Sequence, residues 1–363
     1  TTSALNVTGA LTVNSAATTL TNASGTQLLT LSGAVTGTGD LVLNNNSATA
    51  AGITLSGSTV NNQGNVTNSG TGTGSTSISS VIGNATTTAV VQNSANSNLT
   101  LTGANTYTGT TTISAGTLQI GAGGTTGTLG SGAVIDNSTL TFNRSNALTV
   151  ANAISGSGAL VQAGGGTTSL TASNSYSGTT TISAGTLNAN STTAIGDGSA
   201  TNTLVFNGGT LQAGGTITLP STRSVTMTGA GTIDANGNAV SIAGAVDGAG
   251  ALNLTGNGTV TLGGAVGATT ALSSLTSGAS TALIINGGSV RTSGNQTYNG
   301  TVSSSGATTL TSTGGGTITA GNTGNNFSGN LSFSTSGGAS VVNAGALALG
   351  ATAYATARWR SIL

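Results

Sequence analysis

The residues of this chain that could do acid–base chemistry are few and of only two kinds. Asp and Arg supply all of its charged side chains, five of each among 363 residues, and the chain has no His, Cys, Lys or Glu. Asp234 and Asp247 stand 13 positions apart, so they could face each other on adjacent turns of a repetitive fold and act as the carboxylate pair of a polysaccharide hydrolase or lyase. Their neighbours, Asn236-Gly237-Asn238 and Gly248-Ala249-Gly250, are turn formers, which favours a structural role for both Asp residues.

Other catalytic and cofactor sites are excluded by the residues that the chain lacks. Ser-His-Asp and Cys-His arrangements need His or Cys, and a P-loop needs Lys. The Gly156-Ser157-Gly158 corner is followed by Ala159 and has no third glycine of a dinucleotide fingerprint. Residues 234–238 begin like an EF-hand calcium loop, but Ala239 stands where Gly is needed and Ala245 where the bidentate Glu belongs. We therefore predict no enzyme activity, no cofactor and no metal site.

Four aromatic residues recur in one short pattern, with an Asn or Gln two positions before the ring and a Gly two positions after it. They are Tyr107, Tyr176, Tyr298 and Phe327. One hypothesis makes them a surface stripe that adheres to a partner, and the other packs each ring into a corner of its turn. So few rings favour packing. Thr-x-Thr pairs such as Thr110/Thr112 would suggest an ice-binding face only on regular turns, and the repeats are unevenly spaced.

Two nearly identical segments indicate what kind of fold positions these residues. Residues 101–118 spell LTGANTYTGTTTISAGTL and residues 170–187 spell LTASNSYSGTTTISAGTL, and the last ten residues of each are the same. Stacked turns need such repetition, because each turn must present the same apolar face to the next. Alternating segments such as Thr139–Phe142 predict strands, and Gly- and Asn-rich pieces between them predict corners. We predict an all-β fold: a parallel β-helix (β-solenoid) with irregular rungs and almost no α-helix.

Composition limits the size of the core and the classes of partner. Charged residues make up 3% of the chain and aromatics 2%, and the net charge is zero. Aliphatic side chains can fill the thin interior of a solenoid, but so few aromatics cannot fill a broad globular core. Zero net charge without Lys argues against nucleic acid and anionic lipid as partners, and no apolar run approaches the ~18 residues of a transmembrane segment. Weak repulsion between copies favours self-association.

The repeated segment resembles the passenger-associated repeat of bacterial autotransporters and related giant surface proteins. The close match covers residues 97–121 and 168–190, and looser matches extend over nearly the whole chain. The resemblance implies a right-handed β-helix that is exported across the outer membrane and displayed or released outside a Gram-negative-type cell. Because the 363 residues contain no recognisable translocator barrel, we expect a passenger-like region at the cell surface or in the extracellular space.

The C-terminal end differs in composition from the rest. We predict a continuous β-solenoid over residues 1–350 and a C-terminal cap or assembly segment over 351–363. That segment holds the only Trp and two of the five Arg, and these residue types are frequent interface anchors. The candidate assembly contacts are Tyr354, Arg358, Trp359 and Arg360.

Three functions follow from these patterns, in decreasing order of support. The first is a secreted, non-enzymatic structural protein that forms or decorates an extracellular fibre, sheath or surface layer as a homopolymer. The second is an adhesin or autoaggregation shaft that binds cell-surface glycans or neighbouring cells. The third is a β-helical polysaccharide hydrolase or lyase, which depends on Asp234 and Asp247 acting together.

Overall fold

Two compact units make up the chain, Thr1–Gly178 (unit 1) and Thr179–Leu363 (unit 2). The computed structural model describes residues 4–23, 25–83, 88–351, 353–354 and 357–361, with side chains up to residue 351. Each unit is a parallel β-solenoid, and together they make about 15 turns. A single 3₁₀ turn at Thr192–Ile195 is the only helical element among the described residues. The predicted all-β parallel solenoid is confirmed.

Unit 1 contains 21 strands of two to five residues. They are β1 (Leu5–Val7), β2 (Leu11–Val13), β3 (Thr18–Asn22), β4 (Leu29–Leu31), β5 (Val35–Gly37), β6 (Leu41–Asn45), β7 (Ile53–Leu55), β8 (Thr59–Asn62), β9 (Val66–Asn68), β10 (Thr76–Ile78), β11 (Val81–Ile82), β12 (Val90–Asn93), β13 (Leu99–Leu101), β14 (Thr111–Ala115), β15 (Thr117–Ile120), β16 (Val134–Asp136), β17 (Thr139–Phe142), β18 (Leu148–Val150), β19 (Ile154–Ser155), β20 (Ala159–Gln162) and β21 (Thr167–Leu170).

Each strand of unit 1 pairs in parallel with the strand one turn away. Sheet 1A runs β1-β4-β7-β10-β13-β15-β17-β20, sheet 1B runs β2-β5-β8-β11, and sheet 1C runs β3-β6-β9-β12-β14-β16-β19; β18 pairs with β21. Side chains alternate between the two faces of a strand, so in the Leu-Thr-Leu strand β13 both leucines are buried and the threonine points outward. Leu101 stacks on Ile120 of the next turn, and burial of each such side chain contributes about 1.5–3 kcal/mol.

Unit 2 contains 23 strands within the described residues. They are β22 (Thr180–Ile182), β23 (Thr186–Ala189), β24 (Leu204–Phe206), β25 (Thr210–Ala213), β26 (Ile217–Leu219), β27 (Val225–Met227), β28 (Gly231–Asp234), β29 (Ala239–Ile242), β30 (Val246–Asp247), β31 (Ala251–Thr255), β32 (Thr259–Leu262), β33 (Ser274–Ser277), β34 (Ala282–Ile285), β35 (Ser289–Thr292), β36 (Gln296–Tyr298), β37 (Val302–Ser304), β38 (Thr308–Ser312), β39 (Ile318–Ala320), β40 (Asn326–Phe327), β41 (Leu331–Thr335), β42 (Ala339–Asn343), β43 (Ala353–Tyr354) and β44 (Ala357–Ser361).

The strands of unit 2 are again all parallel. Sheet 2A contains β22-β24-β27-β30 and, later in the chain, β35-β38-β41-β43; the two parts are connected through single-residue bridges of Val266 to Val246 and Val290. Sheet 2B runs β23-β25-β28-β31-β33-β36-β39-β42-β44, and sheet 2C runs β26-β29-β32-β34-β37-β40. Across the described part of both units, no helix has the length and apolar character needed to cross a membrane.

The repeated Ser-Ala-Gly-Thr-Leu segment makes the same corner in both units. Gly116 and Gly185 have positive φ, +67° and +57°, in the left-handed region that glycine adopts without strain. A Cβ atom at Gly116 would also lie 2.2 Å from the backbone oxygen of Ser94 on the preceding turn. The glycine therefore lets the chain turn sharply while successive turns stay in contact.

Candidate functional site

The exposed and half-buried aspartates accept hydrogen bonds from backbone N–H groups at turns. Asp197 and Asp234 each accept a hydrogen bond from the backbone N–H two residues later, at 2.9 and 3.0 Å. Asp40 and Asp247 accept hydrogen bonds from backbone N–H groups 25 and 22 residues later, at 2.7 and 2.9 Å. Bonds from an Asp side chain to nearby backbone N–H groups stabilise turns, so these four carboxylates have a structural task.

Asp234 and Asp247 do not face each other. Asp234 ends β28 in sheet 2B, where its register partners are Gln212 and Thr255. Asp247 ends β30 in sheet 2A, opposite Thr226. Because the two carboxylates lie on different sheets of unit 2, the hypothesis of a catalytic pair is wrong.

The EF-hand-like segment forms a closed turn. One carboxylate oxygen of Asp234 accepts the N–H of Asn236, and the other accepts a hydrogen bond from Gln212 Nε2 at 2.9 Å. The Asn238 side chain donates to the Ala213 oxygen at 3.0 Å. Among the described residues, no three His, Cys, Asp or Glu side chains come together. These oxygens are occupied by the protein's own donors.

Asp136 is a buried carboxyl group that our sequence interpretation missed. It is 0% exposed at the end of β16. One carboxylate oxygen accepts the Ser138 N–H at 3.0 Å, and the other has no hydrogen-bond partner. Burial raises the pKa of Asp136 from 3.8 to about 6, because a low-dielectric interior disfavours the charged form. The alternation Val134-Ile135-Asp136 places this residue on the inner face, and this signal was available in the sequence.

Arg144 holds the long loop 121–133 that follows the first repeat. Its guanidinium donates from Nη1 to the Gly127 oxygen at 2.7 Å and from Nη2 to the Thr125 oxygen at 2.5 Å. Asn152 holds the other end of the loop, donating to the oxygens of Gly130 and Gly132 at 2.8 and 2.6 Å. The loop is thereby fixed at both ends against the following turn of unit 1.

An open groove of about 490 Å³ lies beside this fixed loop. Segments from three successive turns line it: Asn105–Thr106, Thr128–Ser131, and Thr149 with Ala151 and Asn152. The first two segments are joined by the hydrogen bond from the Asn105 side chain to the Thr128 oxygen at 2.7 Å. The lining combines the apolar Leu129 and Ala151 with exposed hydroxyls such as those of Ser131 and Thr149, and it has no charged side chain. Its amides, Asn105 and Asn152, are engaged in holding the turns. Such a surface can hydrogen-bond a neutral, hydroxyl-rich ligand.

The four patterned aromatics do not form a surface stripe. Tyr107 and Tyr176 are 0% exposed, and Tyr298 and Phe327 are 1% exposed. Tyr107 Oη shares a hydrogen bond with Thr111 Oγ1 at 2.7 Å, and Tyr298 Oη donates to Gln296 at 2.9 Å. The surface hypothesis is wrong and packing is correct, because each ring fills the interior and the tyrosine hydroxyl finds a polar partner there.

The residue two positions before the ring explains the rest of that pattern. Asn105, Asn174 and Asn325 each accept the backbone N–H of a residue on the preceding turn, at 2.8–2.9 Å. Asn105 also donates to the Thr128 oxygen on the following turn at 2.7 Å. The sequence showed the spacing, and the structure assigns these side chains to joining consecutive turns.

The C-terminal candidates lie in the last two strands. Tyr354 is in β43, and Arg358, Trp359 and Arg360 are in β44, which pairs in parallel with β42 at the end of sheet 2B. The side chains of all four residues lie outside the part of the chain that the structure describes. Their role as assembly contacts stays a prediction.

Comparison with known proteins identifies the repeats. The family model of the passenger-associated-transport-repeat matches residues 97–120 and 160–189, which include the two copies found in the sequence. Neither the curated proteins nor the solved structures give a significant match. With the solenoid fold, the two matched repeats show an autotransporter-passenger-like repeat protein.

Proposed function

We propose that this chain is a non-enzymatic structural protein of the bacterial surface, which forms or decorates an extracellular fibre, sheath or layer by associating with copies of itself. The passenger-type repeats indicate a surface or secreted location. A stack of short parallel strands gives a long, uniform surface, which is typical of a scaffold.

The scarcity of surface charge carries this proposal. Three of the ten charged side chains, Asp136, Arg144 and Arg223, are buried. Among the other side chains that the structure describes, only five carry charge: Asp40, Asp197, Asp234, Asp247 and Arg291. Long-range repulsion between copies is therefore weak, and the Lys residues that commonly protect sheet edges are absent from the sequence.

Sedimentation velocity over a wide range of concentrations, followed by negative-stain microscopy, tests the proposal. We expect the mass to rise with concentration well above that of the 34.0 kDa chain, with little dependence on salt because few charges are involved. A single species of monomer mass at every concentration would contradict it.

Truncation after Gly350 tests the predicted contacts Tyr354, Arg358, Trp359 and Arg360. We expect shorter polymers because the candidate interface anchors are removed. The far-UV β-signal should be essentially unchanged, since only β43 and β44 of the 44 described strands are lost. Polymers of unchanged length would remove these four residues from the assembly contact.

The neutral groove beside loop 121–133 favours a second candidate function, that of an adhesin shaft that binds surface glycans or neighbouring cells. Its hydroxyl-lined wall at Thr128–Ser131 is fixed by Arg144 and Asn152. Ligand-observed NMR with neutral oligosaccharides should then show binding that Asn152→Ala weakens, whereas Asn299→Ala at an exposed turn of unit 2 should not. Equal spectra for both variants and the wild-type chain would count against this function.

A further inference from the structure

A continuous column of hydroxyl and amide side chains runs along the outer face of sheet 2B. The register pairs one outward residue from each of eight consecutive strands, from β23 to β42. In order they are Thr186, Thr210, Thr232, Asn253, Thr276, Thr297, Thr319 and Ser340. At about 4.8 Å between strands, the column is roughly 34 Å long. The expectation that uneven repeats would break such a column is wrong for this sheet.

The side chains of this column have no hydrogen-bond partner within the described part of the chain. All eight are partly or fully exposed, and none of their hydroxyl or amide groups donates to or accepts from another described residue. The adjacent column on the same sheet differs, because Asn188 donates to Gln212 at 2.8 Å and Gln212 donates to Asp234 at 2.9 Å. The Asn188, Gln212 and Asp234 side chains thus hydrogen-bond one another. The column from Thr186 to Ser340 instead presents donors and acceptors to the outside.

Two other outward columns differ from it. In unit 1, the outward column of sheet 1A includes Thr54 and Gln119 and reaches Val161 at β20. Thr54 Oγ1 donates to the Ala51 oxygen at 3.2 Å, and Gln119 Nε2 donates to the Gly121 oxygen at 2.8 Å. The neighbouring column of sheet 2C is interrupted by Ile284. Neither of these two columns is both uninterrupted and unpartnered, as the column of sheet 2B is.

We propose that the outer face of sheet 2B binds a second copy of this chain, with the two threonine-rich columns packed face to face. The inference rests on the proposed function, and it names the surface through which copies associate. An interface in which the same patch meets itself is the commonest arrangement in homodimers.

Matching periodicity is the first reason to choose a second copy as the occupant. The column repeats at the spacing of backbone-paired strands, and a second copy has the same spacing by construction. Side chains can therefore meet at every turn along the whole face, as they do in the dry, interdigitated contacts between paired sheets. A polysaccharide has a repeat set by its sugar rings and not by strand pairing, so nothing holds it in register along eight strands.

Charge and rigidity support the same choice. Asp234 is the only charged residue on this face among the described side chains, and it is tied to Gln212. Six of the eight residues are threonine, whose branched side chain has few rotamers, so packing costs little conformational entropy. A neutral, stiff, self-complementary face suits association with itself.

Lysine substitutions test the face directly. Thr276→Lys and Thr297→Lys place a charge in the column, and Thr261→Lys is the matched control, since Thr261 is a partly exposed outward threonine of sheet 2C. Far-UV spectra and melting curves establish that each variant is folded. Sedimentation velocity should then show association weakened at least tenfold by the two column substitutions and unchanged by the control, because like charges would be buried against each other. A 1:1 mixture of Thr276→Lys and Thr276→Asp should recover association.

The remaining outcomes distinguish a failure of this interface from a failure of the proposed function. If the column variants associate as the wild type does, or if the control weakens association equally, the face is not the contact, although self-association stands. No recovery in the mixture would overturn the face-to-face packing. If the wild-type chain stays monomeric, the proposed function falls. If that monomer also binds an insoluble neutral β-glucan and Thr276→Lys abolishes the binding, the outer face of sheet 2B is a polysaccharide-binding surface. The pairing of two copies through this face is then overturned.

Discussion

Two regions of the solenoid interior differ in chemistry, one in each unit, although the units share one fold. In unit 1, the turns of β9 and β12 bury the amides of Asn68 and Gln92, both 0% exposed. In unit 2, the turns of β24, β25 and β28 bury Phe206, Leu211 and Ile233 at 0–1% exposure. A solenoid interior can therefore be polar or apolar, provided that its space is filled and its hydrogen bonds are made.

The polar interior of unit 1 is a connected network. Asn68 donates to Gln92 Oε1 at 2.7 Å and to the Ser97 oxygen at 2.6 Å, and Thr76 donates to Asn68 Oδ1 at 2.9 Å. Gln92 in turn donates to the Ser94 oxygen at 2.8 Å. Because the amides bind carbonyls of the corners, the stability of these turns depends on hydrogen bonds, whereas the turns of β24, β25 and β28 in unit 2 have apolar contacts in their place.

The largest expected loss of stability is in the apolar interior of unit 2, around Phe206. Phe206→Ala should reduce the stability of unit 2 by about 3–5 kcal/mol, because it removes a fully buried ring and leaves a cavity. Hydrogen exchange of backbone amides, followed unit by unit, measures the loss. The control Val205→Ala changes the outward neighbour in the same strand and should have a much smaller effect. Equal losses would show that the interior of unit 2 does not depend on apolar filling.

Asp136 should make the stability of unit 1 depend on pH. Its folded pKa of about 6 lies above the ordinary 3.8, so the folded state favours the protonated carboxyl group. This contribution is fully present below about pH 4 and is lost as the pH rises through about 6, a difference of about 3 kcal/mol.

The variant Asp136→Asn tests that pH dependence. An amide has no charge to desolvate, so unit 1 of the variant should be more stable than the wild type at pH 7 and should lose the decline between pH 4 and 6. Hydrogen exchange across this pH range measures both. Asp197→Asn, at an exposed turn of unit 2, should leave the profile of unit 1 unchanged. A wild-type profile in Asp136→Asn would assign the decline to other groups.

Asn68→Ala should cost unit 1 about 1–3 kcal/mol, mainly because Gln92 Oε1 and the Thr76 hydroxyl are left buried without their partner. Hydrogen exchange in β9 and β12 detects the loss. The matched variant Thr67→Ala removes the outward neighbour and should have little effect. If both substitutions cost the same, the network does not contribute to stability.

The smallest expected effect is on the aromatic corner of the first repeat. Tyr107→Phe removes the hydrogen bond to Thr111 and should cost about 0.5–1.5 kcal/mol while the ring stays in place. In a double-mutant cycle with Thr111→Val, the two losses should not add, because they report one bond. Additive losses would show that the two side chains act independently.

The sequence predicted the strands well and the polar interior poorly. Alternation within segments such as Thr139–Phe142 and glycine at corners such as Gly116 follow from local backbone preferences, so both could be recognised without a structure. Asp136 and Arg144 continue the same alternation into the interior, yet neither residue was assigned to the interior from the sequence. Their burial depends on partners from other turns, such as loop 121–133, which no local pattern identifies.

The outward column of sheet 2B could be recognised only from the structure. The outward threonines of sheet 2B are separated by unequal numbers of residues: Thr186 and Thr210 by 24, Thr232 and Asn253 by 21. Such spacing hides the column in the sequence. The extra residues are taken up in the corners, and parallel backbone hydrogen bonds align the strands regardless of corner length.

By itself, the sequence determined that the chain is a stack of short parallel strands with a thin core and almost no surface charge. Period-two alternation, glycine at positive φ and composition are local properties, and each is fixed by a few neighbouring residues. Only the tertiary structure decided which residues meet: Asp234 and Asp247 lie on separate sheets, the aromatics point inward, and eight outward side chains align on sheet 2B. The physical reason is that the register is set by hydrogen bonds between strands more than twenty residues apart in the sequence. No single segment of the sequence determines those pairings.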